Sequence, residues 1–158
     1  GELFADNDER AIFFAKGVVE TVKKLNWVPD IIHVHGWMAA MLPIYMKHFY
    51  KNEALFSDTK IVTSVYGQSF DGSLDVEMIN KIKFDGVPND SILDLETPNY
   101  ENIMKATINH SDAVIIASEN LTSSLTKFIE SSGKPFLPFA SKDNFAESYS
   151  NFYKNFVL

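Results

Sequence analysis

The strongest constraint on the fold is an alternation. Four short runs rich in β-forming apolar residues, Ile31–His35, Lys60–Tyr66, Asp112–Ala117 and Lys134–Phe139, are separated by stretches whose apolar residues recur at helical spacing. Strands that alternate with helices favour a parallel sheet covered on both faces, and strand, helix and strand within about 35 residues is the span of a right-handed βαβ unit. The expectation is an α/β fold: a three-layer parallel sheet with helices on both faces. Residues 1–158 read as a single domain, without internal repeat, low-complexity segment or linker.

The local signals place the elements. Asp6-Asn7-Asp8-Glu9 has the form of a capping box, and Ile12, Phe13, Ala15, Val18, Val19, Val22 and Leu25 follow at steps of three and four, so a helix is expected to about Leu25. Asn26-Trp27-Val28-Pro29 ends it, because proline holds its predecessor extended. A second helix is expected from Trp37, with Pro43 tolerated in its early turns. Ser73 to Asn99 is weakly patterned; Glu77–Phe84 reads as a short helix within an excursion above the sheet's carboxyl edge, where loops often cover a cleft. Tyr100–Ser111 reads as a helix with Ile103, Met104, Thr107 and Ile108 inward. Ser118 is the expected cap of a helix over 119–132 that Gly133 ends. Pro135 and Pro138 each remove a ladder donor, which limits the last strand to a short edge. Ser141 is then expected to cap a final helix carrying Phe145, Tyr149, Phe152, Tyr153 and Phe156 as a packing stripe.

Charge and cysteine usage exclude several classes. Lys plus Arg total 14 against 21 acids, a net charge of -7, which argues against nucleic acid because phosphate binding needs a basic face. The chain has no cysteine, so no disulfide framework or thiolate metal site is available, and a reducing cytoplasm suits it. No apolar run approaches the roughly 20 residues of a membrane span, so no membrane partner is expected.

Chemistry is sought first at the carboxyl ends of the strands, where open α/β sheets bind ligands. His33 and His35 are two apart on a strand and face the same way, but no third ligand of the right type lies near them, so no metal is expected. Gly67-Gln68-Ser69-Phe70-Asp71-Gly72 has the wrong spacing for a phosphate loop, and no cofactor fingerprint follows any strand. Ser69 and Ser118 lack the strained elbow of a serine nucleophile. Residue types alone stop at a ligand site of unspecified chemistry.

A resemblance goes further. Asp6-Asn7-Asp8-Glu9-Arg10-Ala11-Ile12-Phe13-Phe14-Ala15-Lys16 is similar to the D-N-D-E-R-F-x-F-F-x-[RK] helix of bacterial glycogen synthases and plant starch synthases. Pro29 to Ala39 resembles their P-D-[IV]-[IV]-H-x-H-D-W-H-[TA], and Thr63 to Gly72 their F-T-x-H-N-x-x-x-Q-G. Met104-Lys105-Ala106-Thr107, Ser111-Asp112 and Ile116-Ala117-Ser118, with Ser124, Thr126, Lys127 and Ile129, follow the L-K-x-G, A-D and T-V-S-x-x-Y-A-x-E-I series. The matches are ordered and run from residue 1 to about 130.

The resemblance implies a glucosyltransferase that extends an α-1,4-glucan from ADP-glucose, with its active site between two Rossmann-like domains. This chain then corresponds to the later half of the amino-terminal domain, a partial domain whose upstream half is missing and which alone is expected to be inactive. It departs from the family pattern at four positions: Gly36 for aspartate, Met38 for histidine, Tyr66 for histidine and Gly67 for asparagine. Each change removes a polar group or replaces one where charge develops in the transition state. His35, Trp37, Tyr66 and Gln68 remain as expected sugar contacts. The alternative is a degenerate, non-catalytic single-domain relative that binds glucan or a protein partner. With the upstream half absent, the outer edge of the 31–35 strand is expected to be unpaired and to recruit a homodimer or edge-strand contact.

Overall fold

The computed structural model describes residues 3–141 and 143–157. A four-stranded parallel sheet runs in the order β1-β2-β3-β4, with β1 at Ile31–His35, β2 at Lys60–Val65, β3 at Ala113–Ile116 and β4 at Phe136–Leu137. Ile32 lies opposite Ile61, Val62 opposite Ala113 and Val114 opposite Phe136. The helices are α1 (Asn7–Lys24), α2 (Met41–Lys47), α3 (Met78–Phe84), α4 (Tyr100–His110), α5 (Ser123–Ser131) and α6 (Phe145–Val157). None of them is long and apolar enough to cross a membrane.

The strand order explains the layers. When parallel strands lie in chain order, right-handed crossovers drop every connecting helix on the same face. Accordingly α1 and α2 pack with Ile32, Val34 and Ile61, while α4 and α5 pack with Val65 and Val114 on that same face. The opposite face presents Ile31, Val62, Ala113, Ile115 and Leu137, and α6, which follows the last strand, covers them with Tyr149, Phe152, Tyr153 and Phe156. Among the described residues α6 is the helix that makes the third layer. Fully buried side chains such as Ile61, Ile103, Met104, Ile108 and Ile115 each contribute roughly 1.5–3 kcal/mol by removal from water.

Several expected ends shift. The capping box does not form. Asp6 instead accepts from Arg10 Nε at 2.9 Å, while Asp8 and Glu9 hold Lys81 Nζ of α3 at 2.7 and 2.8 Å. Trp37 opens a 3-10 turn, Trp37–Ala39, before α2 begins at Met41. Helix α5 starts at Ser123 rather than Glu119; its cap is Thr122, whose hydroxyl oxygen accepts from Leu125 N. Ser141 is not the cap of α6, which begins at Phe145; its carbonyl instead accepts from Asn144 N.

The excursion 73–99 is not a lid. Its ends pair at Ser73 and Asn99, and Leu74, Met78, Ile82, Val87, Ile92 and Leu95 sink into the core shared with α1 and α2. Asp85, at its centre, accepts from Tyr45 Oη of α2 at 2.6 Å and from Lys16 Nζ of α1 at 2.9 Å. The apolar side chains are too irregularly spaced to advertise this burial, which needs both helices in place.

Candidate functional site

The carboxyl ends of β1 and β2 open into a cleft of about 510 Å³ lined by Gly36, Trp37, Tyr66, Gln68, Ser69 and Tyr100. β1 ends at His35, and Gly36 turns the chain with φ 72° and ψ 168°, a conformation open essentially only to glycine. The family's aspartate therefore cannot occupy position 36 on this backbone without strain. Trp37 packs edge-on against Phe70 at 5.0 Å between ring centroids, and Phe70 against Tyr100 at 5.8 Å, so the indole is braced from behind. Tyr100 Oη donates to the Tyr66 carbonyl at 2.5 Å, which ties the end of β2 to the start of α4.

Tyr66 links the cleft to a second layer of polar groups. Its hydroxyl lies 2.8 Å from His35 Nδ1. The His35 ring packs on His33 at 3.9 Å, and His33 in turn lies 2.8 Å from Ser64 Oγ and 2.5 Å from Tyr153 Oη of α6. Burial, reinforced by the neighbouring His35, lowers the His33 pKa to about 4, so its ring is neutral at pH 7. Burial also lowers His35 below the usual imidazole range and raises the Tyr66 and Tyr100 phenols.

Of the expected contacts, Trp37, Tyr66 and Gln68 share the cleft, and His35 stands behind Tyr66 rather than on the wall. Met38 points elsewhere, into an apolar groove beside α1 with Phe14, Leu25 and Trp27. Gly67 is confined from outside: a Cβ there would run into the Asn120 carboxamide and lie 2.8 Å from the Asn120 carbonyl oxygen. The loop after β3 thus crosses the end of β2 where the family carries asparagine. Gly67→Asn is expected to cost about 2 kcal/mol through this overlap, seen as a lower urea midpoint, with Gly67→Asn/Asn120→Gly recovering part of it. An unchanged midpoint in the single variant would show that the loop yields freely.

Sequence reasoning missed Ser69, Tyr100, Asn120 and Tyr153. Ser69 lies next to Gln68 in the strand-end loop and Tyr100 is an aromatic at a helix start, so both carried a local signal; Asn120 against Gly67 and Tyr153 against His33 depend on crossings between distant segments. The described residues contain no group of three or more His, Cys, Asp or Glu placed to hold a metal, and no carboxylate lines the cleft. The larger grooves run along the outside of α1, where Phe13 and Phe84 stand exposed, away from the strand ends.

Residues 2–133 match the family model described as starch synthase catalytic domain. Among curated proteins the chain is 33% identical to glycogen synthase of Clostridium perfringens over 117 residues, covering 72% of this chain and 24% of the relative. It is 33% identical to glycogen synthase of Elusimicrobium minutum over 131 residues, covering 80% and 26%. The chain thus spans about a quarter of the length of these relatives. The catalytic domain of starch synthase IV from Arabidopsis thaliana, solved bound to ADP and acarbose, superposes with a TM-score of 0.65 over 90% of this chain and 32% of that one; at 19% identity this shows a shared fold.

Proposed function

The chain belongs to the starch synthase catalytic-domain family, and from that membership we propose that its strand-end cleft is a glucan-contacting wall of a glycogen- or starch-synthase-type glucosyltransferase. The reaction is transfer of glucose from ADP-glucose to an α-1,4-glucan, in the cytoplasm, with ADP-glucose as donor and no resident cofactor. The chain is the later part of an amino-terminal domain. By itself it binds glucan and does not transfer glucose.

The observation that carries this reading is the cleft's composition. Trp37 offers an aromatic face and Tyr66, Gln68 and Ser69 offer hydroxyl and amide groups, the combination that holds a sugar by ring contact and hydrogen bonds. What the cleft lacks is equally specific. Oxocarbenium-like charge needs preorganised carboxylates or dipoles beside the reacting carbon, and among the described residues no carboxylate lines this wall.

Calorimetric titration with maltoheptaose tests the reading. Binding by the wild type is expected, with Trp37→Ala weakening it about tenfold or more while circular dichroism stays native. No heat at millimolar ligand would remove the glucan assignment. ADP release from ADP-glucose by this chain alone would remove the claim of inactivity.

A second reading, a degenerate non-catalytic relative, is favoured by the glycine-only backbone at Gly36 and the blocked Cβ at Gly67. Both make the family's polar residues unacceptable in place, as settled divergence would. The outer edge of β1 has no ladder partner among the described residues, and we include a homodimer or edge-strand contact there in the proposal. The mass in solution reads it directly.

A further inference from the structure

Helix α6 lies outside residues 2–133, the part of the chain that matches the family, yet it reaches the strand-end cluster. Tyr153 Oη and His33 Nδ1 are 2.5 Å apart, and Tyr149 sits 5.9 Å from His33 between ring centroids. These residues are 120 apart in sequence, and nothing in the strand itself would supply a partner to Nδ1. We propose that Tyr153 is a positioning residue of the cleft: by holding His33 it fixes the ring on which His35 packs, and so sets the His35–Tyr66 bond that shapes the cleft wall.

The direction of the bonds follows from the groups present. His33 is flanked by two hydroxyls, Tyr153 at Nδ1 and Ser64 at Nε2. A neutral imidazole carries one proton, so one hydroxyl donates to the ring and the other accepts from it. The phenol is the more acidic hydroxyl and has the shorter contact, so Tyr153 donates to Nδ1 and Nε2–H donates to Ser64 Oγ. His35 Nδ1 meets the Tyr66 hydroxyl at 2.8 Å, a bond that either tautomer of His35 can make. The two rings, 3.9 Å apart at 40° between planes, pass orientation from one pair to the other. Losing the Tyr153 hydroxyl frees His33 to rotate or change tautomer, and His35 loses the surface that keeps it against Tyr66.

The part of this proposal that concerns sugar rests on the glucan reading above, and the experiment separates the two. Imidazole nitrogen shifts of the full chain are recorded with Tyr153→Phe and with Phe152→Leu, which trims α6 packing without touching His33. In the wild type, His33 is expected as the Nε2–H tautomer; an Nδ1–H signal overturns the proposal before any variant is made. Tyr153→Phe is expected to mix the His33 tautomers, move the His35 nitrogen shifts and weaken maltoheptaose binding about fivefold, the scale of one hydrogen bond. Phe152→Leu is expected to lower the melting temperature and leave the His35 shifts in place. Unchanged His35 shifts in Tyr153→Phe overturn the proposal, as does an identical response in Phe152→Leu, which would mark generic packing. A wild type that binds no oligosaccharide but whose His35 responds to Tyr153→Phe alone upholds the positioning role and overturns the glucan reading.

Discussion

Lys81→Met is expected to lower the unfolding free energy by about 3 kcal/mol, because it leaves a buried carboxylate without its cation. The Asp8 side chain is fully buried, with Oδ2 2.7 Å from Lys81 Nζ and Oδ1 without a hydrogen-bond partner among the described residues. The Asp8 and Glu9 carboxylates hold the Lys81 ammonium well above the usual lysine range. Removing one partner of a buried pair costs about 3–5 kcal/mol, and the 33% exposure of Lys81 lets water offset some of it, which selects the lower end. Glu9→Gln is the contrast. Glu9 is 64% exposed, so its bond to the same lysine is expected to contribute under about 1 kcal/mol. Asp8→Leu/Lys81→Met should recover much of the loss by replacing the pair with apolar contact. Urea unfolding at unchanged m-value measures all three. A Lys81→Met midpoint equal to the wild type would show that Asp8 is solvated in solution.

Acidification is expected to cost about 2 kcal/mol through His33 between pH 6.5 and pH 4, the ring being only partly buried. His33 has an unfolded pKa near 6.5 and a folded value of about 4, set first by burial and then by His35. Between those values the unfolded chain binds a proton that the folded chain refuses, so stability is complete above pH 6.5 and falls as pH drops toward 4. Among the described residues, the polar and aromatic groups that meet His33 are His35, Ser64, Tyr149 and Tyr153, none of which can stabilise an imidazolium as a carboxylate would. Burial depresses His35, His48 and His110 as well, and they add to the loss in the same direction. His33→Gln should flatten the pH dependence of the urea midpoint over this window. An unaltered slope in that variant would place the acid sensitivity elsewhere. Because α6 meets the sheet at His33, its tyrosine fluorescence should be the first signal to change.

Much of the fold was legible locally. The runs at 31–35, 60–65 and 113–116 are strands because their β-branched and apolar residues suit a sheet buried on both faces, and the spacing at 100–110 buries its stripe as expected; of the stripe read for the first helix, Ile12, Ala15, Val18, Val19 and Val22 pack inward, whereas Phe13 and Leu25 stand exposed. The aromatic stripe of the last helix is a packing face at Tyr149, Phe152, Tyr153 and Phe156, while Phe145, read as part of it, is exposed. The site was legible in part: Trp37, Tyr66 and Gln68 meet because strand ends collect at one edge, whereas Met38 turned away into the groove beside α1.

The sequence by itself determined the alternation of strands and helices, the family and the edge at which to look, since each is written in neighbours or in an ordered series of motifs. The tertiary structure alone decided which polar group meets which. Asp8 meets Lys81, Asn120 blocks Gly67 and Tyr153 holds His33 only after three crossovers have set the strand order and brought α6 to the empty face of the sheet. A local pattern can choose helix or strand because hydrogen bonding and burial act within a few residues. It cannot choose among distant partners, because those contacts exist only once the sheet has closed over its core.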